Sequence, residues 1–360
     1  MGNINTSVDL RPDGEIGVVT VDNPPVNALK HEVRAGLAKA LRRTREDVAV
    51  KAVVIGCAGR TFFAGADITE FGKPPQAPGL GEVIAAIEAM PKPVVAALHG
   101  TALGGGFELA LACHFRVAVA AARVGLPEVK LGLLPGAGGT QRLPRLIGPE
   151  KALKMIVTGD PITAGEALAD GIIDDVVEGD PIEGAIGFAR RVVAEGQPLR
   201  RVRDRDEKLI AEGFADAAET LTRRLRGREA PAACVEAVRN AIILPFDTGL
   251  KREGELFRQL MVGDQSKAQR HILFAEREAA RVPGMPEGIK PRAVRTAAVI
   301  GAGTMGGGIA MCFANANIPV TLVETGRDLL DKGLDRVAAN YRATVCVAGS
   351  PPMRWSAGWA

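Results

Sequence analysis

The sequence predicts an α/β protein, extended by a helical stretch and closed by one further β–α–β unit. Three observations carry this reading. Over the first 180 residues, short apolar runs rich in β-formers alternate with segments of helical period. From about 185 to 281 the strand runs stop, and long amphipathic segments rich in Arg, Glu and Ala take over. A stretch with three prolines and two glycines, "RVPGMPEGIKPRA" (281–293), then precedes a single strand–loop–helix–strand pattern over 295–324.

The strands are "EIGVVTVD" (15–22), "KAVVIGC" (51–57), "PVVAALHG" (93–100) and "RVAVAAA" (116–122). Between them, "LKHEVRAGLAKALRRTRED" and "GEVIAAIEAM" repeat apolar residues at helical spacing. Alternation of this kind, with apolar strands, argues an α/β layered fold. "TAGEALADGIIDDVVE" (163–178) ends this half with a helix, a glycine stop and a last strand. The Arg/Glu-rich helices after 185 read as a solvated bridging face.

At 360 residues the chain holds about two domains. Its 47% hydrophobic and 24% charged content are those of a soluble globular protein. A net charge of +3 gives no reason to expect nucleic acid or a membrane surface as partner. Five cysteines (57, 113, 234, 312 and 346) form no CxxC pair, and most lie in apolar runs, so reduced thiols and no metal site are expected. No signal peptide, myristoylation context, membrane-length run or peroxisomal tripeptide is legible, and the expected compartment is cytoplasmic.

Two acids stand out in "GTALGGGFELALACHFRVAVAAARVGLPEV" (100–129). Glu108 follows three glycines on an otherwise apolar helix, and Glu128 follows a proline twenty positions later. Gly104 to Gly106 sit at a helix N-terminus, where free N–H groups point outward and missing side chains admit a ligand. Taken alone, such glycines fit a plain helix cap equally well. A second loop, "GRTFFAGADITEF" (59–71), offers further N–H groups, and two backbone donors aimed at one oxygen make an oxyanion hole, each worth ~3 kcal/mol of barrier. Carboxylates in apolar surroundings are raised toward the range of a general acid or base, and two in unlike settings divide the roles. Glu128, taken singly, also reads as an acid capping the next element.

"FFAGADI", "HGTALGGGFELALACHFRVA" and "LPEVKLGLLPGAGGTQRLPRLIG" resemble, in order and spacing, the signature segments of the crotonase (enoyl-CoA hydratase/isomerase) superfamily, over roughly residues 10 to 190. The resemblance implies a ββα superhelical spiral and activation of an acyl-CoA thioester. In that reading Ala66 and Gly105 supply the oxyanion N–H groups, and Glu108 and Glu128 hold the water and handle the protons. Ala64, Asp67 and Gly136 would be substrate contacts, Gly136 orienting the water. Both acids together favour hydration of a trans-2-enoyl-CoA, while double-bond isomerisation needs only one of them.

"VIGAGTMGGGIA" (299–310) fits GxGxxG through Gly301, Gly303 and Gly306, after an apolar strand and before a helix. Glu324 closes the next strand about twenty residues on, the position of a ribose partner for NAD, and an acid there disfavours NADP. The segment is similar to the opening of the 3-hydroxyacyl-CoA dehydrogenase family, in which Met305 would lie against the cofactor. The order resembles the multifunctional enzymes of fatty-acid β-oxidation and implies a thiolase subunit or further copies of the chain as partners.

The expected layout is a crotonase-like domain at 1–190, a helical linker at 191–290, a partial NAD-binding (Rossmann-type) domain at 291–345 and an aberrant tail at 346–360. Histidines occur only at 31, 99, 114 and 271, all before the dinucleotide loop, so an incomplete dehydrogenase module, or a non-catalytic NAD-binding remnant, is expected. The tail "CVAGSPPMRWSAGWA", back-translated with GC-rich codons and shifted one frame, reads as a family-like continuation, which suggests a frameshift.

Overall fold

The four apolar runs form the inner strands of one sheet, and their pattern decides what covers each face. The computed structural model describes residues 2–279, 282–285, 288–289 and 292–348, with side chains through 343. They fall into two compact units, Met1–Arg281 and Val282–Ala360.

In the first unit the strands are β1 (Val8–Asp13), β2 (Ile16–Val21), β3 (Ala52–Cys57), β4 (Val94–Leu98), β5 (Thr101–Leu103), β6 (Phe115–Val119), β7 (Arg123–Gly125), β8 (Ile162–Thr163) and β9 (Asp175–Val177). The helices are α1 (His31–Glu46), α2 (Leu80–Glu88), α3 (Gly105–Ala112), α4 (Gly139–Ile147), α5 (Pro149–Thr158), α6 (Ala164–Ala169), α7 (Pro181–Ala194), α8 (Phe214–Thr222), α9 (Glu229–Ile243), α10 (Phe246–Val262) and α11 (Asp264–Ala279).

The main sheet runs β1-β2-β3-β4-β6-β9, with β1 and β2 antiparallel and every other pair parallel. β3 shows why its run is apolar without alternation: Val53, Ile55 and Cys57 enter the large core, while Ala52 and Val54 face a smaller cluster made with Ala185, Ile186, Phe188 and Val192 of α7. β1 is not among the expected strands. It is an edge, where Pro12 removes no needed donor, and only Val8 and Leu10 turn inward. A second sheet, β5-β7-β8, has strands of two or three residues, too short to display a period.

The helices after 190 differ from the expected linker. A boundary at 190 would cut through α7, and Ala230, Cys234, Ala237 and Val238 of α9 with Leu256 and Leu260 of α10 share one core with Leu143, Leu146 and Leu153. Their charged faces are visible in the sequence, whereas the surface that receives their apolar stripes belongs to α4 and α5. Phe246, the first residue of α10, is the anchor. The guanidinium carbons of Arg142, Arg145 and Arg203 lie 5.0, 5.0 and 4.6 Å from its ring centre. Arg142 is itself buried and donates from Nε and Nη2 to the Glu88 carboxylate at 3.1 and 2.9 Å.

The second unit contains the expected strand–loop–helix–strand: β10 (Ala297–Ile300), α12 (Thr304–Asn315), β11 (Val320–Val323) and α13 (Arg327–Ala348), with β10 and β11 parallel. Residues 349–360, most of the suggested frameshifted tail, lie outside the described residues. Among the described residues no helix is long and apolar enough to cross a membrane.

Arg142→Ala removes the two-pronged partner of the buried Glu88 carboxylate and leaves it only Arg203 Nη1 at 3.5 Å, a loss of about 3 kcal/mol. Urea unfolding checks it, and a change below about 1 kcal/mol would show that Glu88 finds other compensation.

Candidate active site

The chain leaves β5 through Gly104, whose φ of +53° and ψ of −131° suit glycine alone. A Cβ there would lie 2.8 Å from Oε1 of Glu128. α3 then starts at Gly105, pressed so closely on the 59–71 loop that a Cβ on Gly106 would meet the Phe63 carbonyl at 2.3 Å. This packing brings the two predicted backbone donors together: the Cβ position of Gly105 is 3.5 Å from the Ala66 nitrogen. Among the described residues neither N–H has a protein acceptor. The other loop residues have internal work. The Ala64 N–H donates to the Val26 carbonyl at 3.2 Å, and the Asp67 carboxylate accepts from Thr69 N and Oγ1 at 2.9 and 2.7 Å.

Glu108 lies in the first turn of α3, a helix whose eight residues are all buried. Its Oε1 accepts from the Ala137 and Gly139 amides, each at 2.8 Å, at the N-terminus of α4. Burial pushes the Glu108 carboxyl up, while these two amides and Arg142 pull it back toward the charged form. Glu128, in the 3-10 turn Glu128–Leu131, has the opposite setting. Its Oε2 is buried without a hydrogen-bond partner, and burial, then the charge of Glu108, raise its carboxyl well above the usual range. Gly136 is bound by packing, since a Cβ would sit 2.4 Å from the Phe257 ring of α10.

Sequence reasoning missed a third acid. Glu253 of α10 is fully buried and accepts from the Gly138 amide at 2.7 Å, the Thr140 amide at 3.1 Å and the Thr140 hydroxyl at 2.5 Å. Burial and then Glu108 push it up to about 8. A signal for it was present: the buried face of α10 is Phe246, Gly249, Glu253, Leu256 and Leu260, spaced three and four apart, with one carboxylate in an otherwise apolar stripe.

In the second unit, Gly301 has a φ of +98°. A Cβ on Gly306 would meet the Gly301 carbonyl at 1.8 Å, so helix and loop need that glycine, whereas Gly303 faces open space. Met305 is exposed in the first turn of α12. The Glu324 carboxylate reaches back to this loop, accepting from the Ala302 and Thr325 amides at 2.8 Å each, which hold it ionised below the usual range. A tight glycine turn, a helix N-terminus and an acid beside them fit a dinucleotide.

The family model for enoyl-CoA hydratase/isomerase matches residues 12–205. The chain belongs to the enoyl-CoA hydratase/isomerase family. Residues 296–347 match the NAD-binding domain of 3-hydroxyacyl-CoA dehydrogenase. The chain is 46% identical over 330 residues to the peroxisomal bifunctional enzyme of Danio rerio, covering 89% of this chain and 46% of that one. It is 38% identical to the glyoxysomal fatty acid beta-oxidation multifunctional protein MFP-a of Cucumis sativus, covering 94% and 49%. It thus spans about half the length of these curated relatives. Among solved structures, carnitinyl-CoA hydratase from Mycobacterium avium superposes with a TM-score of 0.58 and 29% identity over 76% of this chain and 97% of that one. The spiral crotonase fold and the short Rossmann-type unit are therefore present in this family member. The cytoplasmic expectation is corrected: the relatives are named peroxisomal or glyoxysomal. Buried free thiols such as Cys57 and Cys113 carry no information about which compartment holds the chain.

The raised carboxyl of Glu128 has a consequence for stability. Its folded-state pKa lies above the unfolded one, so its contribution is full below the unfolded value and is lost as pH rises through the folded one. Glu128→Gln removes that titration. Thermal scans between about pH 5 and 9 should then show a smaller fall in Tm for the variant than for the wild type, and equal slopes would contradict the placement.

Proposed function

We propose that the first unit hydrates trans-2-enoyl-CoA to 3-hydroxyacyl-CoA in fatty-acid β-oxidation, in a setting like that of the peroxisomal relatives. The observation that carries this is the pairing of two backbone N–H groups without acceptors and two acids in unlike environments, Glu108 buried on two amides and Glu128 half-buried with its Oε2 unpartnered.

In this reading the thioester oxygen accepts from Ala66 and Gly105 N–H, which lowers the energy of an enolate. Glu108, kept toward its anion by the Ala137 and Gly139 amides, takes a proton from water as the water oxygen bonds to C3. The electron pair of the double bond moves toward the thioester oxygen. Glu128, kept protonated by burial, gives its proton to C2. The product has gained H and OH, and the proton now on Glu108 must return to Glu128 before the next cycle. Gly136 N–H is assigned to the water, and Ala64 and Asp67, in the loop that carries Ala66, to the substrate. Turnover then falls at low pH as Glu108 protonates and at high pH as Glu128 ionises.

The second unit is assigned to NAD on the fit of Gly301, Gly303, Met305, Gly306 and Glu324. NAD bound there supplies a hydride acceptor for a 3-hydroxyacyl product. The loop N–H groups and the start of α12 would hold the pyrophosphate, and Glu324 a ribose hydroxyl. No histidine follows residue 271. A polypeptide of these 360 residues should accordingly give no NADH absorbance with 3-hydroxybutyryl-CoA, and a rate above the enzyme-free control would refute that.

Glu108→Gln and Glu128→Gln should each lower crotonyl-CoA hydration by ~10²-fold or more, with the double variant far from additive. Wild-type rates in either single variant would sink the assignment. Gly105→Pro, which removes one oxyanion donor, should lower kcat by roughly 10²-fold or more. A raised KM with kcat unchanged would reduce Gly105 to a packing role.

A further inference from the structure

The turn 137–140 sends its four amides to two carboxylates in alternation. Ala137 and Gly139 donate to Glu108, while Gly138 and Thr140 donate to Glu253. Gly138 makes this possible: its φ is +102°, and a Cβ there would lie 1.8 Å from Nη1 of Arg142. The Gly139 amide lies between two amides that are both bonded to Glu253, so any turn of its plane must be absorbed by the φ and ψ of Gly138 and Gly139 while both neighbours stay held. The direction of the Gly139 N–H, and with it the seat of Glu108, is fixed from the other side by whatever Gly138 and Thr140 bond to. That partner is carried by α10, more than a hundred residues further along the chain.

We propose that Glu253 is a positioning residue for hydration, holding the 137–140 turn so that its alternate amides keep Glu108 aligned with the reacting water. The inference rests on the hydratase reading given above. Glu253 bonds to the turn and not to the oxyanion donors, and acts through the turn. Its hydroxyl contact is set as well: Gln141 Nε2 donates to Thr140 Oγ1 at 2.9 Å, which directs the hydroxyl proton toward Glu253.

Position also carries charge. The groups facing Glu253 are Glu108 from α3, Glu128 from the turn after β7, Arg142 of α4 with its Glu88 partner from α2, and Cys234 of α9. Three carboxyls in one buried cluster cannot all ionise together at low cost. An ionised Glu253 raises Glu128, so a neutral side chain at 253 lets Glu128 ionise at lower pH.

Glu253→Gln separates these effects from mere packing. Its carbonyl still accepts from Gly138, but its amide N–H₂ opposes the Thr140 N–H, so the turn loses half of its anchor. The test uses the full chain, with two readouts. The first is the amide proton shift of Gly139 in ¹H–¹⁵N spectra, which reports the Glu108 contact without substrate. The second is the pH profile of crotonyl-CoA hydration. Expected are an upfield move of the Gly139 amide, a kcat lowered roughly 10- to 100-fold with KM within about threefold, and the alkaline limb, set by Glu128, displaced to lower pH. A folded Glu253→Gln whose Gly139 amide is unmoved overturns the proposal. So does a loss of turnover with Tm lowered and the alkaline limb unshifted, which is what packing alone would give. If Glu253→Gln does not fold, Thr140→Val removes the hydroxyl with its contacts to Glu253 and Gln141, keeps the Thr140 N–H, and must move the Gly139 amide in the same direction; an unmoved amide there is equally decisive. If the wild type fails to hydrate crotonyl-CoA, the hydratase reading falls, and the amide shifts still decide whether Glu253 holds the turn.

Discussion

Glu108 lies in an environment that should expel it, and the N-terminus of α4 is what keeps it there. A carboxylate buried in an all-apolar helix is tolerable only with donors aimed at it, and the Ala137 and Gly139 amides supply two at 2.8 Å. Those amides exist as free donors because the first turn of any helix has no internal acceptors. The rest of the first unit can be read as what is needed to bring that helix end to that acid. α3 and α4 pack in one core, Gly138 takes the left-handed turn, and Arg142 is locked to Glu88 beneath them.

The helices beyond residue 190 complete the site. α10 brings Glu253 to the turn and lays the Phe257 ring on Gly136. Phe257 meets Phe71 edge-on at 6.4 Å between ring centres, tying α10 to the loop that carries Ala66. α11 reaches the other acid: Ser266 Oγ donates to the Leu131 carbonyl at 2.9 Å, in the 3-10 turn that begins with Glu128, and Gly132 leaves room for the Ser266 backbone. Both catalytic candidates thus depend on helices that contain no sequence motif of their own. The contrast between the acids follows from the same packing, since one receives the α4 amides and the other keeps its Oε2 without a donor.

Much of this was determined by sequence alone, where the cause is local. A parallel strand buried on both faces must be apolar at every position, so β2, β3, β4 and β6 were legible as runs. Gly104 and Gly301 mark backbone turns that side chains resist, and the motifs around Glu108, Glu128 and Gly301–Gly306 are contiguous, so family membership and the site glutamates could be named before any fold. The short strands β5, β7 and β8 were not legible, because two or three residues display no period.

Only tertiary structure decided what depends on partners distant in the chain. The sequence shows α8 to α11 as charged amphipathic helices, and an amphipathic stripe does not say which surface it covers. It therefore read as a bridge, whereas it closes the core and the site. Glu253 stood in the apolar stripe of α10 as a visible irregularity, yet its meaning required the Gly138 and Thr140 amides that meet it from across the fold. The upward pKa shifts of the three acids have the same origin, since burial and neighbouring charge are properties of the assembled site.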